Sequence, residues 1–341
     1  MTLRKKLAEL LGRGRRVEAA SLTVEGPMPD FGGIGPWLNS GPLTAAALAS
    51  RVVLVDFWTY SCINCLRTLP HLQAWHETYG GSGLTIIGVH TPEFDFEKDP
   101  DNVRLAIARY GLTYPVVLDN DYTLWNRYRN RAWPAHYFID ANGNIRYRHF
   151  GEGEYAHSEE VLRTLLAEVG RTLPAEPVHL AEPALACERQ LTPETYLGSD
   201  RLEYLGSPEP VRAEVPQLYS SVARPGLGIF YLAGQWRIDP DCIIPAGLPA
   251  KLIFRCRAAS INLVAAPGAA PGCRINIRLD GRALKASENG GDAVIENDAS
   301  YAVIDEARLY RLVDCGAVCG EHLLELEVDR PGVKLYSFTF G

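Results

Sequence analysis

Residues 51–70 read RVVLVDFWTYSCINCLRTLP, and this stretch decides what the rest of the chain has to be. Arg51 to Trp58 is a short apolar, β-branched run broken only by Asp56, the pattern of a strand buried on both faces of a sheet. Further on, Leu66, Leu69, Leu72 and Trp75 recur three residues apart and Gly80-Gly81 follows, which predicts a helix with a glycine stop. Between strand and helix lies a C-x-x-C, Cys62 and Cys65. Such a pair in isolation is ambiguous among a redox couple, half of a zinc site and coincidence. At a strand-to-helix junction, however, Cys62 falls near the helix N-terminus, where unpaired backbone N–H groups and the macrodipole favour a thiolate. Cys65, nearly one turn deeper, is more shielded and able to close a disulfide.

Working outward, Leu84 to Thr91 (LTIIGVHT) reads as a second buried strand and Asp101 to Gly111 as a helix opened by acidic residues and closed by glycine. Pro115 to Asp119 is a third apolar strand and Tyr122 to Arg129 a short helix. Ala135 to Phe150 is a hairpin turning at Asn142-Gly143, and Ser158 to Val169 a last helix. The order β-α-β-α predicts an α/β domain over 26–170, after an N-terminal basic segment, 1–25. Pro174, Pro177 and Pro183 mark an extended connector over 171–191. From 192 to 341 the pattern becomes short alternating runs such as KLIFRCRA, SINLVAA, RINIRLDG and KLYSFTF, punctuated by Gly, Pro, Asp and Asn. Many strands without helices predict an all-β sandwich or jelly roll.

With these residues in view, VDFWTYSCINC resembles the thioredoxin superfamily, where strand, acidic residue, Trp and C-x-x-C recur at this spacing. The resemblance implies a role for several positions. Asp56 matches the family's buried acid, a proton acceptor for the resolving thiol Cys65. Pro70 matches the proline of the active-site helix, and Pro134, in AWPAHYFID, the cis-proline that lies against the disulfide. About 68 residues separate Cys65 from Pro134, leaving room for the extra strand and helix of Asp101 to Asp119, the layout of the TlpA-like and redoxin branch. More narrowly, WTYSCINCLRTLP, GVHTPEF, YPVVLDND and YRNRAWPAHYFID are similar to the extracytoplasmic part of DipZ-type cytochrome c biogenesis proteins. The tail is similar to the carbohydrate-binding-module-like β domain that follows in them. His90 and Glu93, after the second strand, stand where they can tune proton transfer at the C-x-x-C, with Trp58, Tyr60 and Trp133 framing the site as an apolar platform.

The expected activity is thiol–disulfide exchange by Cys62 and Cys65, in the direction of reduction by analogy, on a disulfide-bearing protein. No cofactor beyond that dithiol and no metal is expected. Two other readings stand beside it. Thr59, three residues before Cys62, fits a peroxiredoxin-type peroxidase, although Val55 holds the place of that family's proline. The β domain would serve a binding module for glycan or protein, with Trp236, Tyr231 and Tyr310 as aromatic contacts.

A balance of 34 Lys+Arg against 41 Asp+Glu, net −7, argues against nucleic acid, whose phosphates want a basic face. No window carries the eighteen or so apolar residues of a membrane span. Residues 1–20 are basic with Leu7, Leu10 and Leu11 at helical spacing, a frayed amphipathic helix rather than a secretory leader. The expectation is therefore a cytoplasmic protein, with an extracytoplasmic one as the alternative that the resemblance implies. DipZ-type proteins receive electrons from CcdA-like membrane helices, so this chain is expected to use a separate donor, either a CcdA-like membrane protein or a thioredoxin reductase-like enzyme. Of the remaining cysteines, Cys187, Cys242, Cys256 and Cys273 read as thiols of open state. Cys315 and Cys319, with His322, admit free thiols, a mutual disulfide or a metal site.

Overall fold

In the computed structural model, which describes residues 22–178, 180, 191–316 and 318–341, the opening stretch forms the middle of a mixed sheet. The expected N-terminal helix, much of the connector and Cys187 lie outside the described residues. The chain divides into two units, 1–182 and 183–341.

The first unit comprises β1 (Gly26–Pro27), β2 (Trp37–Leu38), β3 (Val52–Trp58), α1 (Ile63–Tyr79), β4 (Leu84–His90), α2 (Pro100–Tyr110), β5 (Val116–Leu118), α3 (Thr123–Arg127), β6 (Ala135–Ile139), β7 (Asn144–Phe150) and α4 (Tyr155–Glu168). The sheet order is β1-β7-β6-β3-β4-β5-β2, with β3, β4 and β5 parallel and β6 and β7 antiparallel beside β3. This is a thioredoxin fold in which α2 and β5 form the extra helix and strand. Because β3 alternates, Leu54, Asp56 and Trp58 share the face that packs with Cys65, Leu69 and Leu72 of α1. Val53, Val55 and Phe57 join a second core with Val89, Leu124 and Tyr137.

Two local features depart from the expected boundaries or deserve a cause. The last helix starts at Tyr155, not Ser158, because the Tyr155 ring stacks on His71 of α1 at 3.6 Å and tertiary packing holds the first turn. Gly88 on β4 lies opposite Asp56; a Cβ there would meet the Trp58 indole at 2.9 Å, so the missing side chain is what lets Trp58 and Tyr114 close over the sheet.

The second unit is all-β among the described residues. Its strands are β8 (Thr195–Tyr196), β9 (Gln217–Tyr219), β10 (Ile229–Ile238), β11 (Ile243–Ala258), β12 (Ser260–Ala266), β13 (Cys273–Leu279), β14 (Ala293–Glu296), β15 (Ala299–Ile304), β16 (Arg308–Asp314), β17 (Gly320–Val328) and β18 (Lys334–Phe340). β11 joins two runs of strands: Ile243 borders β18, while Lys251 to Ala258 border β17. The one long strand thus turns the sheet back on itself, as a sandwich requires. Inner residues Leu252, Phe254, Leu324 and Leu326 alternate with outer Lys251, Arg255, Glu321 and Glu325.

Three expectations for this unit are corrected. Trp236 and Tyr310 are fully buried core residues, so neither offers a ring to a glycan, and Tyr231 is half-buried with its hydroxyl accepting the Gly226 N–H. Cys315 is a free thiol whereas Cys319 is disulfide-bonded, which removes a Cys315–Cys319 bridge. The sulfur of Cys319 is for the same reason no metal ligand, and His322 Nδ1 instead meets Asp280 Oδ2 at 3.0 Å.

Candidate active site

The C-x-x-C sits where the end of β3 feeds α1. Cys62 is the N-cap residue, with extended backbone (φ −84, ψ 114), and its Sγ accepts the Cys65 N–H at 3.5 Å. The sulfur thus occupies the place that a serine or aspartate oxygen takes at other helix starts, facing N–H groups that have no partner within the helix. It is half-buried, whereas Cys65 is fully buried, and both thiols are free. Burial, then the neighbouring Cys62 sulfur and the charge of Asp56, push the Cys65 thiol well above its ordinary range. Cys65 therefore stays protonated until a base takes its proton.

Asp56 is buried on the same face as Cys65. Burial raises its carboxyl above the usual range, and His136 opposes that shift. Its Oδ1 stands 3.3 Å from His136 Nε2, within ion-pair reach but off hydrogen-bond alignment. Pro134 follows a cis peptide bond and is buried, its carbonyl accepting the Gly151 N–H at 2.8 Å. Trp133 is half-buried, donates from Nε1 to the Thr91 carbonyl at 3.1 Å and lies 4.2 Å from the Trp125 ring.

His90 is enclosed rather than exposed at its strand end. It stacks on Tyr60 at 5.6 Å and meets Trp58 edge-on at 5.2 Å, with Nε2 3.5 Å from the Thr59 hydroxyl. Burial lowers it to about 3, so the ring is neutral at physiological pH and acts by packing and orientation. The Thr59 hydroxyl thus stands between His90 and the Glu97 carboxylate. Glu93 is half-buried, and its N–H donates to Glu97.

Glu97 is the residue the sequence reading missed. Fully buried, it accepts the Ser61 N–H (3.2 Å) and hydroxyl (2.6 Å) at Oε1, and the N–H groups of Glu93 (2.6 Å) and Phe94 (3.0 Å) at Oε2. One carboxylate so ties the residue before Cys62 to the loop after β4. Burial raises its carboxyl, against the hydrogen bonds of Ser61 and Thr59. In sequence it is one of several acids in PEFDFEKD, with no spacing to set it apart. His136 and His149 were missed in the same way, since only strand register brings His136 beside Asp56 and His149 beside His136.

Comparison with known proteins agrees with this geometry. A model of the AhpC/TSA family matches residues 24–148, and one described as the thioredoxin-like C-terminal domain matches residues 192–341. The chain thus carries a thioredoxin-like AhpC/TSA domain followed by a thioredoxin-like C-terminal domain. Protein DipZ of Mycobacterium tuberculosis is 41% identical over 251 residues, which are 72% of this thioredoxin-like chain and 36% of DipZ. Thiol-disulfide oxidoreductase YkuV of Bacillus subtilis is 28% identical over 142 residues, covering 42% of this chain and 95% of YkuV. Among solved structures, a thioredoxin-like protein in the oxidised form is 30% identical, covering 42% of this chain and 96% of that chain, at a TM-score of 0.39. The chain thus spans little more than a third of the length of DipZ. No helix among the described residues is long and apolar enough to cross a membrane.

Proposed function

We propose that this protein is a thiol–disulfide oxidoreductase that reduces disulfides in protein substrates. The observation that carries the reading is the placement of the two sulfurs: Cys62 Sγ at the start of α1, with the Cys65 N–H aimed at it, and the Cys65 thiol buried behind it near Asp56. Cys62 attacks the substrate disulfide and expels one substrate sulfur, forming a mixed disulfide. Asp56 takes the proton of Cys65, whose sulfur then attacks Cys62 Sγ and releases the second substrate sulfur. The substrate gains two electrons and the protein is left with a Cys62–Cys65 bond.

Among relatives, YkuV of Bacillus subtilis is a thiol-disulfide oxidoreductase, which supports the same class. The oxidised protein requires re-reduction by a separate donor: a CcdA-like membrane protein in an extracytoplasmic setting, or a thioredoxin reductase-like enzyme in a cytoplasmic one. The half-buried Trp133, just before Pro134, provides an apolar surface for the substrate chain.

The test is a trapping experiment. Cys65→Ser is expected to hold substrate as a mixed disulfide on Cys62, released by dithiothreitol, while the wild type reduces insulin. Failure of Cys65→Ser to trap any disulfide-bearing protein, together with no insulin reduction by the wild type, would overturn the assignment.

A further inference from the structure

The proposed exchange leaves a proton on Asp56 in every cycle, and Asp56 is fully buried. Before the next cycle that proton has to leave. The strand register supplies a direction. Asp56 on β3 pairs with His136 on β6, and His136 pairs with His149 on β7, so the three form one row across adjacent strands. Neighbouring strands lie about 4.8 Å apart. Asp56 Oδ1 is 3.3 Å from His136 Nε2, and the His136 and His149 rings lie 6.0 Å apart, tilted by only 21°. His149 is half-buried, so the row runs from the buried dithiol towards the edge of the sheet.

A second observation concerns hydrogen bonds. Asp56 Oδ2, His136 Nδ1 and His149 Nε2 are buried with no hydrogen-bonding partner among the described residues, and Asp56 Oδ1 and His136 Nε2 face only each other, at 3.3 Å. Leaving such an atom without a partner is unfavourable, because it loses its bonds to water and gains none in return. A concentration of them on three consecutive cross-strand neighbours is a cost that a purely structural core would avoid by using apolar residues.

We propose that His136 and His149 are positioning residues that carry the proton of Cys65 from Asp56 to solvent. This rests on the exchange reading above. The balance is simple: the Cys65 thiol gives its proton to the Asp56 carboxylate, and the thiolate so formed attacks Cys62 Sγ and expels the substrate sulfur. Asp56 then passes the proton to His136 Nε2, His136 releases one from Nδ1 towards His149, and His149 releases one to water; return of His136 from its Nε2–H to its Nδ1–H tautomer readies the row for the next cycle. No electrons move along the row.

Other ionisable groups around the row are accounted for. Cys65 on α1 and Tyr114 before β5 face Asp56, and burial pushes the Tyr114 hydroxyl up. On α4, Glu159 is bonded to the Tyr79 hydroxyl and Tyr155 is stacked on His71. Glu152 and Glu154 act on His149, which burial lowers below its ordinary value.

The experiment follows reduced protein reacting with 5,5′-dithiobis(2-nitrobenzoate) in a Cys315→Ser background. Attack by Cys62 releases one coloured thiolate, and attack by Cys65 on the resulting mixed disulfide releases the second. His136→Gln and His136→Leu are expected to leave the first phase within about twofold of wild type and to slow the second by about tenfold or more. In wild type the second phase should quicken as pH rises, and in the variants this rise should move to higher pH. His149→Asn, at a half-buried site, should slow the second phase, and added imidazole should restore it; this arm decides the matter should the His136 variants not fold. A second phase at the wild-type rate in His149→Asn, or both phases slowed alike in folded His136→Gln, would overturn the relay. A wild type with no first phase would instead sink the exchange reading itself.

Discussion

The two units bury ionisable groups in opposite ways. On the α1 face of the first sheet, Asp56, His90 and His136 lie inside with incomplete hydrogen bonding, and Glu97 is buried beside them as a four-bond anchor. The second unit fills its interior with Phe230, Leu252, Phe254, Leu324 and Phe338, and keeps its charges outside in pairs such as Arg257–Glu321 and Lys251–Glu325. Cysteines sharpen the contrast. Burial pushes Cys256 and Cys273 up to about 12 and Cys242 higher still, so these thiols behave as small apolar residues. Burial raises Cys65 as well. What separates it from the others is a partner sulfur at a helix start. Polar burial, rather than cysteine content, marks where chemistry is held.

That contrast can be broken in several ways. The largest expected effect is on exchange itself: Cys62→Ser should lower insulin reduction about a thousandfold or more, whereas the triple variant C242A/C256A/C273A should retain it. Loss of activity in the triple variant would place redox chemistry in the second unit. Next, Trp236→Ala should destabilise the second unit by about 3–5 kcal/mol in urea titration, leaving the exchange rate unchanged, because a fully buried indole is replaced by a cavity. Glu97→Ala should cost the first unit about 3 kcal/mol, by stranding the N–H groups of Ser61, Glu93 and Phe94, and should alter the alkylation rate of Cys62. Glu97→Gln, which keeps the shape, should lose less.

The smallest effect is the dependence of stability on pH. Burial lowers His90 from 6.5 to about 3, so between those values the unfolded chain binds a proton that the folded chain refuses. Stability should accordingly fall as pH drops below about 6.5, by up to about 1.4 kcal/mol per pH unit. The raised carboxyls of Asp56 and Glu97 act in the reverse sense, because the folded chain keeps their protons longer as pH rises. Comparing urea midpoints of wild type and His90→Gln from pH 7 to pH 4.5 isolates the histidine: the variant should show the shallower acid decline. Equal slopes would mean that His90 takes up its proton without loss of the fold.

How much of this was legible beforehand follows distance along the chain. A buried run, a C-x-x-C, a three-residue leucine spacing and a glycine stop lie within thirty-one residues, 51–81, and from these the strand, the helix and the position of Cys62 at its start could be read. The hairpin of Ala135 to Phe150 was legible for the same reason, whereas Pro134 was legible through the family resemblance. Glu97 was not, because its partners at Ser61 lie 36 residues away and nothing local distinguishes it from Glu93 or Asp95. The aromatics of the second unit failed in another way: alternation assigns Trp236 and Tyr310 to a face of their strands, but only the closure of the sheet by β11 makes that face the interior.

By itself, then, the sequence determined the backbone states and the chemical kind of each site residue, since these are set by interactions within a few residues. Which acid meets which histidine, which thiol is shielded and which ring is inside were decided only by strand register and packing. Those contacts join residues tens of positions apart, and a one-residue slip in register would separate Asp56, His136 and His149.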